Sequence, residues 1–304
     1  MTGKAQHAYR NMSKYSIKDL ERLSGIKAHT IRIWEQRYGL IAPQRTDTNI
    51  RYYTDDDLKY ILNIAVLNNN GYKISRIATM SHDEVSEAVG KVTAKNTSQE
   101  NLISGLIVSA IDLNHAQFEL IFQQSVIRIG FETTFAEIIH PFLERIGNLW
   151  LTGSIAPAQE HFISNLIRQK IIVAIDAQPK MPKPNAKKIL LYTPENELHE
   201  LGILLADYVF RKHQFEVYYL GVNVPFDNLK LVDDKHHIDC IVLSITSYPS
   251  GNNFVQYINK LDKTFPEKQI FISGYQTGKN IDVIPQRFKV LQNIMEITLL
   301  INSI

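Results

Sequence analysis

Glu197-Leu198-His199-Glu200-Leu201-Gly202 sets a carboxylate two positions before an imidazole and a glycine three positions after it. A neutral imidazole nitrogen is a good ligand for a first-row transition metal. A carboxylate at that spacing can hold the other ring nitrogen, which fixes the tautomer and raises the basicity of the ligating one. Gly202 leaves room for a bulky planar group beside the chain, where a side chain would block it. Only one strong protein ligand is offered, so the metal is expected inside a macrocycle that supplies most of its coordination. Read alone, three loosely fixed positions fit a solvated surface histidine equally well.

A second constellation lies upstream. Trp150 stands nine residues ahead of the adjacent pair Glu160-His161, across a break containing Gly153. A flat ring, a carboxylate and an imidazole brought to one end of a helical array can pack beside a ligand, bond to it and coordinate it. Taken singly, the tryptophan reads as a helix-end core contact and the pair as a cap. His140 and the His236-His237 pair match no role and read as surface or core residues.

The elements that would position these groups follow from hydrophobic periodicity. Residues 100–177 hold four stretches with apolar residues three and four apart, enough for a four-helix bundle with Trp150 ending the third helix and Glu160-His161 near the start of the fourth. After a Pro- and Lys-rich linker at 178–187, residues 188–304 alternate short β-branched or aromatic runs with helical ones. That alternation predicts a flavodoxin-like α/β domain with a parallel sheet. Ligands bind such sheets beyond the carboxyl ends of the strands, between the first and third. His199, expected to follow the first strand and begin a helix, falls there. So do Ser244 and Thr246 at the end of the third strand.

The N-terminal segment, 1–80, carries thirteen Lys/Arg against seven Asp/Glu, whereas the whole chain is only +2. A basic module on an acidic body implies a polyanion partner for that module. Ser16 and Gly25 bracket one short helix, and Gly39 closes a second, giving a helix-turn-helix pattern. The second helix offers Lys27, His29, Thr30, Arg32 and Arg37 to a major groove, and the wing-like stretch 43–53 adds Arg45, Arg51, Tyr52 and Tyr53. Thr54 with three aspartates caps the next helix. The polar stretch 81–99 reads as a linker and shows no heptads, so self-association must come from elsewhere. The single Cys240 excludes an intramolecular disulfide and reads as a small buried hydrophobe. With no secretory h-region and no membrane-length apolar run, the chain is expected in the cytoplasm, away from membranes.

The order helix, turn, helix ending in W-E-x-R-x-G-L, wing with R-Y-Y and Thr-Asp-capped helix resembles the DNA-binding domain of MerR-family transcription regulators. The Glu-x-His-x-x-Gly stretch, set after a strand and behind a helical bundle, resembles the cobalamin-binding module of corrinoid proteins. Joined to Trp-x9-Glu-His, the whole is similar to the adenosylcobalamin-dependent photoreceptor repressors of the CarH/LitR type. That resemblance implies a regulator, not an enzyme, that binds double-stranded operator DNA. His199 would be the lower cobalt ligand, held by Glu197. Trp150 and Glu160 would meet the upper adenosyl group, and His161 would take the vacated axial position after light breaks the cobalt–carbon bond. It also implies a tetramer when loaded, which disassembles and releases DNA on illumination.

Two places depart from the corrinoid pattern. Ser244-Ile245-Thr246 replaces Ser-x-Leu, and Ser273-Gly274 replaces Gly-Gly, so the Ser273 Cβ is expected to intrude where the nucleotide tail runs. Two alternatives therefore stay open: a regulator whose degenerate module answers to a partner protein or another ligand, and a corrinoid methyl carrier.

Overall fold

The computed structural model describes residues 14–95, 98–151 and 154–292, with the single positions 296, 298 and 301. Gly153 lies outside them. The chain forms two compact units, 1–163 and 164–304.

In the first unit, α1 (Ile17–Ser24) starts from a capping box in which Ser16 and Asp19 satisfy each other's backbone amides, and it ends at Gly25. Each such cap contributes about 1 kcal/mol. Helix α2 (Ala28–Tyr38) closes at Gly39 and buries Ile31 and Trp34. The strands β1 (Gln44–Arg45) and β2 (Arg51–Tyr52) pair antiparallel as the expected wing. Thr54 and Asp57 form a second capping box at the start of α3 (Asp55–Asn69), and α4 (Ile74–Ile77) follows. Leu20, Leu23, Ile31, Leu58 and Ile61 are fully buried and form the core of this helix-turn-helix fold.

The stretch read as a linker is instead helical: α5 spans His82–Lys95. Among its described side chains Val85 alone is buried, and His82 stacks on Tyr60 at 4.1 Å between ring centroids, which is too little apolar pattern to register in sequence. Helices α6 (Gln99–Ile111) and α7 (His115–Ile129) begin the helical region. The expected third helix is composite: α8 (Phe131–Thr134), a π-helical stretch at Phe135–Ile139 and α9 (His140–Leu151). Phe118, Phe122, Phe131 and Phe135 pack ring against ring at the α7–α8 corner. Helix α10 (Pro157–Asp176) runs through the division between the units. At its start, Gln159 Nε2 donates to the Ile111 carbonyl at 3.0 Å.

The second unit is built on a five-stranded parallel sheet. Its strands are β3 (Lys188–Pro194), β4 (Glu216–Val224), β5 (Cys240–Ser244), β6 (Gln269–Ser273) and β7 (Lys289–Val290), in spatial order β4-β3-β5-β6-β7. Helices α11 (Leu201–Lys212), α12 (Phe226–His236), α13 (Gly251–Thr264) and α14 (Tyr275–Lys279) connect them. This is the flavodoxin-like order, and its reversal point lies between β3 and β5. Leu190, Tyr192, Ile241, Leu243, Phe254 and Ile270 form the core against α12 and α13. Cys240 is fully buried, as a small hydrophobe would be, and burial pushes its thiol pKa up.

Gly274 shows why one half of the altered Gly-Gly pair had to stay. Its φ is +102°, and a Cβ there would lie 2.3 Å from the Ile245 carbonyl oxygen. Gly202 is the opposite case, since a Cβ would sit 3.5 Å from Ser244 Oγ, an ordinary contact. Gly274→Ala is therefore expected to lower stability by about 3 kcal/mol or more, and Gly202→Ala to change it by under about 1 kcal/mol. Urea unfolding of both variants checks the contrast.

Candidate functional site

The loop after β3 carries the histidine motif, and one carboxylate organises it. Glu197 is fully buried. Its Oε2 accepts the backbone amides of Thr246 at 2.7 Å, Ser247 at 2.6 Å and Tyr248 at 3.1 Å. Its Oε1 accepts the His199 amide at 2.9 Å and the His199 Nδ1–H at 2.6 Å. The Glu197 carbonyl in turn accepts Thr193 Oγ1–H at 2.7 Å and the Asn223 amide at 3.2 Å. Burial by itself would raise the pKa of this carboxyl. The hydrogen bonds from His199, Ser247 and Tyr248 outweigh burial and hold it down at about 2.

A proton donated from Nδ1 leaves the ring's lone pair on Nε2. The His199 side chain is 59% exposed, so the ring stands at the carboxyl end of the sheet rather than inside it. It precedes α11 by two residues and does not begin the helix as expected, because the backbone is still engaged with Glu197. This donor set fits a metal that needs only one protein ligand because a macrocycle supplies the rest. Among the described residues, no group of three or more His, Cys, Asp or Glu could hold a metal ion by itself.

The remaining expected residues of this unit surround the same reversal point. Gly202 opens α11 and faces Ser244, the last residue of β5. Thr246 contributes its backbone amide to Glu197. Ser273 ends β6 opposite Ser244 and is 2% exposed, so it is packed within the domain and does not stand on an open surface. Gly274 follows it against Ile245. A cavity of about 260 Å³ opens beside Asn196, Tyr248 and Pro249, toward α12 and α13. It is lined by none of the expected cofactor residues, and it is below the roughly 300–1,000 Å³ of ordinary ligand pockets.

Sequence reading missed Ser247 and Tyr248: both give backbone amides to Glu197, and the Ser247 hydroxyl also donates to its carboxylate at 3.3 Å. It also missed Arg168 of α10, which ion-pairs with Glu200 next to His199. In the first unit, Trp150 lies one residue before the end of α9 and is 53% exposed, so it is not the core contact its type alone suggests. Glu160 and His161 stand in the first turns of α10, with Glu160 Oε2 and His161 Nδ1 2.7 Å apart.

On the helix-turn-helix fold, α2 turns His29, Arg32 and Arg37 outward, and Lys27 just before it is exposed and pairs with Glu21 at 3.4 Å. Thr30 is half-buried. In the wing, Arg45 and Arg51 are exposed; Arg45 Nη1 donates to Asn49 Oδ1 at 2.6 Å, and Tyr52 OH to Gln44 Oε1 at 2.7 Å. Tyr53 corrects the expectation of a DNA contact. It is fully buried, bridges to Tyr15 and donates its hydroxyl to Glu35 at 2.5 Å. Successive residues of an extended chain point to opposite sides, so Tyr52 and Tyr53 cannot both face outward.

Comparison with known proteins places these parts. The family model described as MerR HTH family regulatory protein matches residues 15–84, and the one described as B12 binding domain matches residues 102–174. The HTH-type transcriptional repressor CarH of Myxococcus xanthus is 26% identical, over 91% of this chain and 93% of that protein. The HTH-type transcriptional repressor CarA of the same organism is 23% identical, over 88% and 89%. The solved monomethylamine corrinoid protein of Methanosarcina barkeri shares the fold with a TM-score of 0.55 at 14% identity, covering 68% of this chain and 99% of its own. No described helix is long and apolar enough to cross a membrane.

The depressed Glu197 pKa sets a pH dependence. The unfolded carboxyl titrates near 4.5 and the folded one near 2, so its contribution to stability is complete above pH 4.5 and is lost as pH falls toward 2. The loss is roughly 3 kcal/mol. Glu197→Gln is expected to flatten this part of the stability–pH curve, as read by urea unfolding between pH 3 and 6.

Proposed function

We propose that the chain, which matches the MerR HTH family over residues 15–84 and the B12 binding domain over 102–174 and is similar to CarH and CarA along most of its length, is a DNA-binding transcriptional repressor that senses adenosylcobalamin and light. The observation that carries this reading is the Glu197–His199 pair: an exposed imidazole whose Nδ1 is fixed by a fully buried carboxylate. That arrangement suits a single protein ligand to cobalt, with Nε2 as the donor atom. When bound, adenosylcobalamin supplies a cobalt–carbon bond that visible light breaks.

The chain's own residues take the other roles. Glu197 keeps His199 in the ligating tautomer and orientation. Gly202 and Thr246 would flank the cofactor's body at the sheet end, and the buried Ser244 and Ser273, with Gly274, would shape the strand ends along which its tail must run. Trp150 and Glu160 would meet the adenosyl group, one by packing and the other by accepting a hydrogen bond, and His161 would be a second cobalt ligand once that group has left. The loaded chain assembles as a homo-oligomer, a tetramer on the family's plan, and holds operator DNA through α2 and the wing. Photolysis disassembles it and releases the DNA.

An absorption spectrum tests the reading. Protein mixed with adenosylcobalamin in the dark and desalted should remain coloured, and green light should shift its spectrum irreversibly. His199→Ala should desalt colourless, and so should Gly202→Ala, whose fold is otherwise intact. A colourless wild-type sample would instead favour a module that answers to a partner protein.

A further inference from the structure

The outward face of α2 carries one residue that charge alone does not explain. His29, Arg32, Ile33 and Gln36 recur at helical spacing of three and four and are all exposed, while Ile31 and Trp34 face the core. Ile33, an apolar β-branched side chain, stands 50% exposed in the middle of that face, between Arg32 and Gln36. Its surroundings are basic: Arg32 and Arg37 lie on the same helix, with Arg45 and Arg51 on the wing. The only acidic residue of α2, Glu35, accepts the Tyr53 hydroxyl. A face of this charge suits a nucleic-acid backbone at its rim and leaves Ile33 to meet whatever lies between the phosphates.

A major groove presents one apolar group, the thymine C5-methyl, and Gln matches the N6/N7 edge of adenine. Ile33 and Gln36 are three residues apart, roughly 4.5 Å along a helix axis. Base pairs rise by about 3.4 Å, so the two side chains would address neighbouring pairs. We propose that Ile33 is a specificity-determining residue of this chain: it packs on a thymine methyl in each half-site, with Gln36 reading an adenine beside it. The proposal rests on the DNA-binding reading of α2 and is independent of the cofactor.

The test begins with selection of preferred duplexes from a randomised double-stranded library by the full-length protein. Each thymine of the selected half-site is then replaced by deoxyuridine, which removes only the methyl. One position should weaken wild-type binding about four-fold, the effect of burying a single methyl group. Ile33→Ala, an exposed helical substitution that circular dichroism should show to be folded, should bind the thymine and deoxyuridine duplexes equally. Arg51→Ala should weaken both while keeping their ratio. If no deoxyuridine replacement affects the wild type, or if the ratio persists in Ile33→Ala, Ile33 does not read thymine, although the protein still binds DNA. If no duplex is enriched at all, the DNA-binding assignment of α2 fails with it.

Discussion

A single buried carboxylate holds the sensory end of this molecule together. Glu197 gathers backbone amides from the loop after β5 and both the amide and the ring of His199 from the loop after β3. A carboxylate with no solvent exposure is costly unless its oxygens are satisfied, and here the satisfying donors are the two loops that flank the sheet's reversal point. The same bonds that stabilise the charge therefore set the loops in register and turn one imidazole nitrogen outward. Structure and ligand chemistry have a common origin in that residue.

The DNA-binding end obeys a similar economy of roles. Tyr53 and Glu35 join the wing to α2 through a hydroxyl–carboxylate bond, and Tyr15 bridges to the same strand position. These residues face inward and leave their neighbours at the surface: Arg51 and Tyr52 on the wing, Arg32 and Ile33 on the helix. Binding residues on short elements need such support, since a two-residue strand has little rigidity of its own.

Much of this was legible in the sequence because the signals were local. Ser16 and Thr54 as caps, the glycines that end α1 and α2, the alternation of strands and helices after Lys188, and the Glu-x-His-x-x-Gly spacing all express short-range chemistry. What was hidden was either nonlocal or weakly patterned. Ser247 and Tyr248 reach Glu197 from about fifty residues away, mainly through backbone amides that any residue type could supply. Helix α5 buries only Val85 among its described side chains, so its polarity resembled a linker. Tyr53 looked like a second wing hydroxyl until strand alternation put it inside. Ile33 drew no notice in the sequence; on the helix it falls on the opposite face from the buried Ile31 and Trp34.

The account turns on which atom meets the metal. Electron paramagnetic resonance of the protein loaded with paramagnetic, one-electron-reduced cobalamin reports the axial nitrogen through its superhyperfine splitting. With unlabelled protein a triplet is expected, and with ¹⁵N-histidine-labelled protein a doublet, absent in His199→Ala. A triplet that survives histidine labelling would mean that the cofactor keeps its own base on cobalt, and would contradict a ligand held out by Glu197.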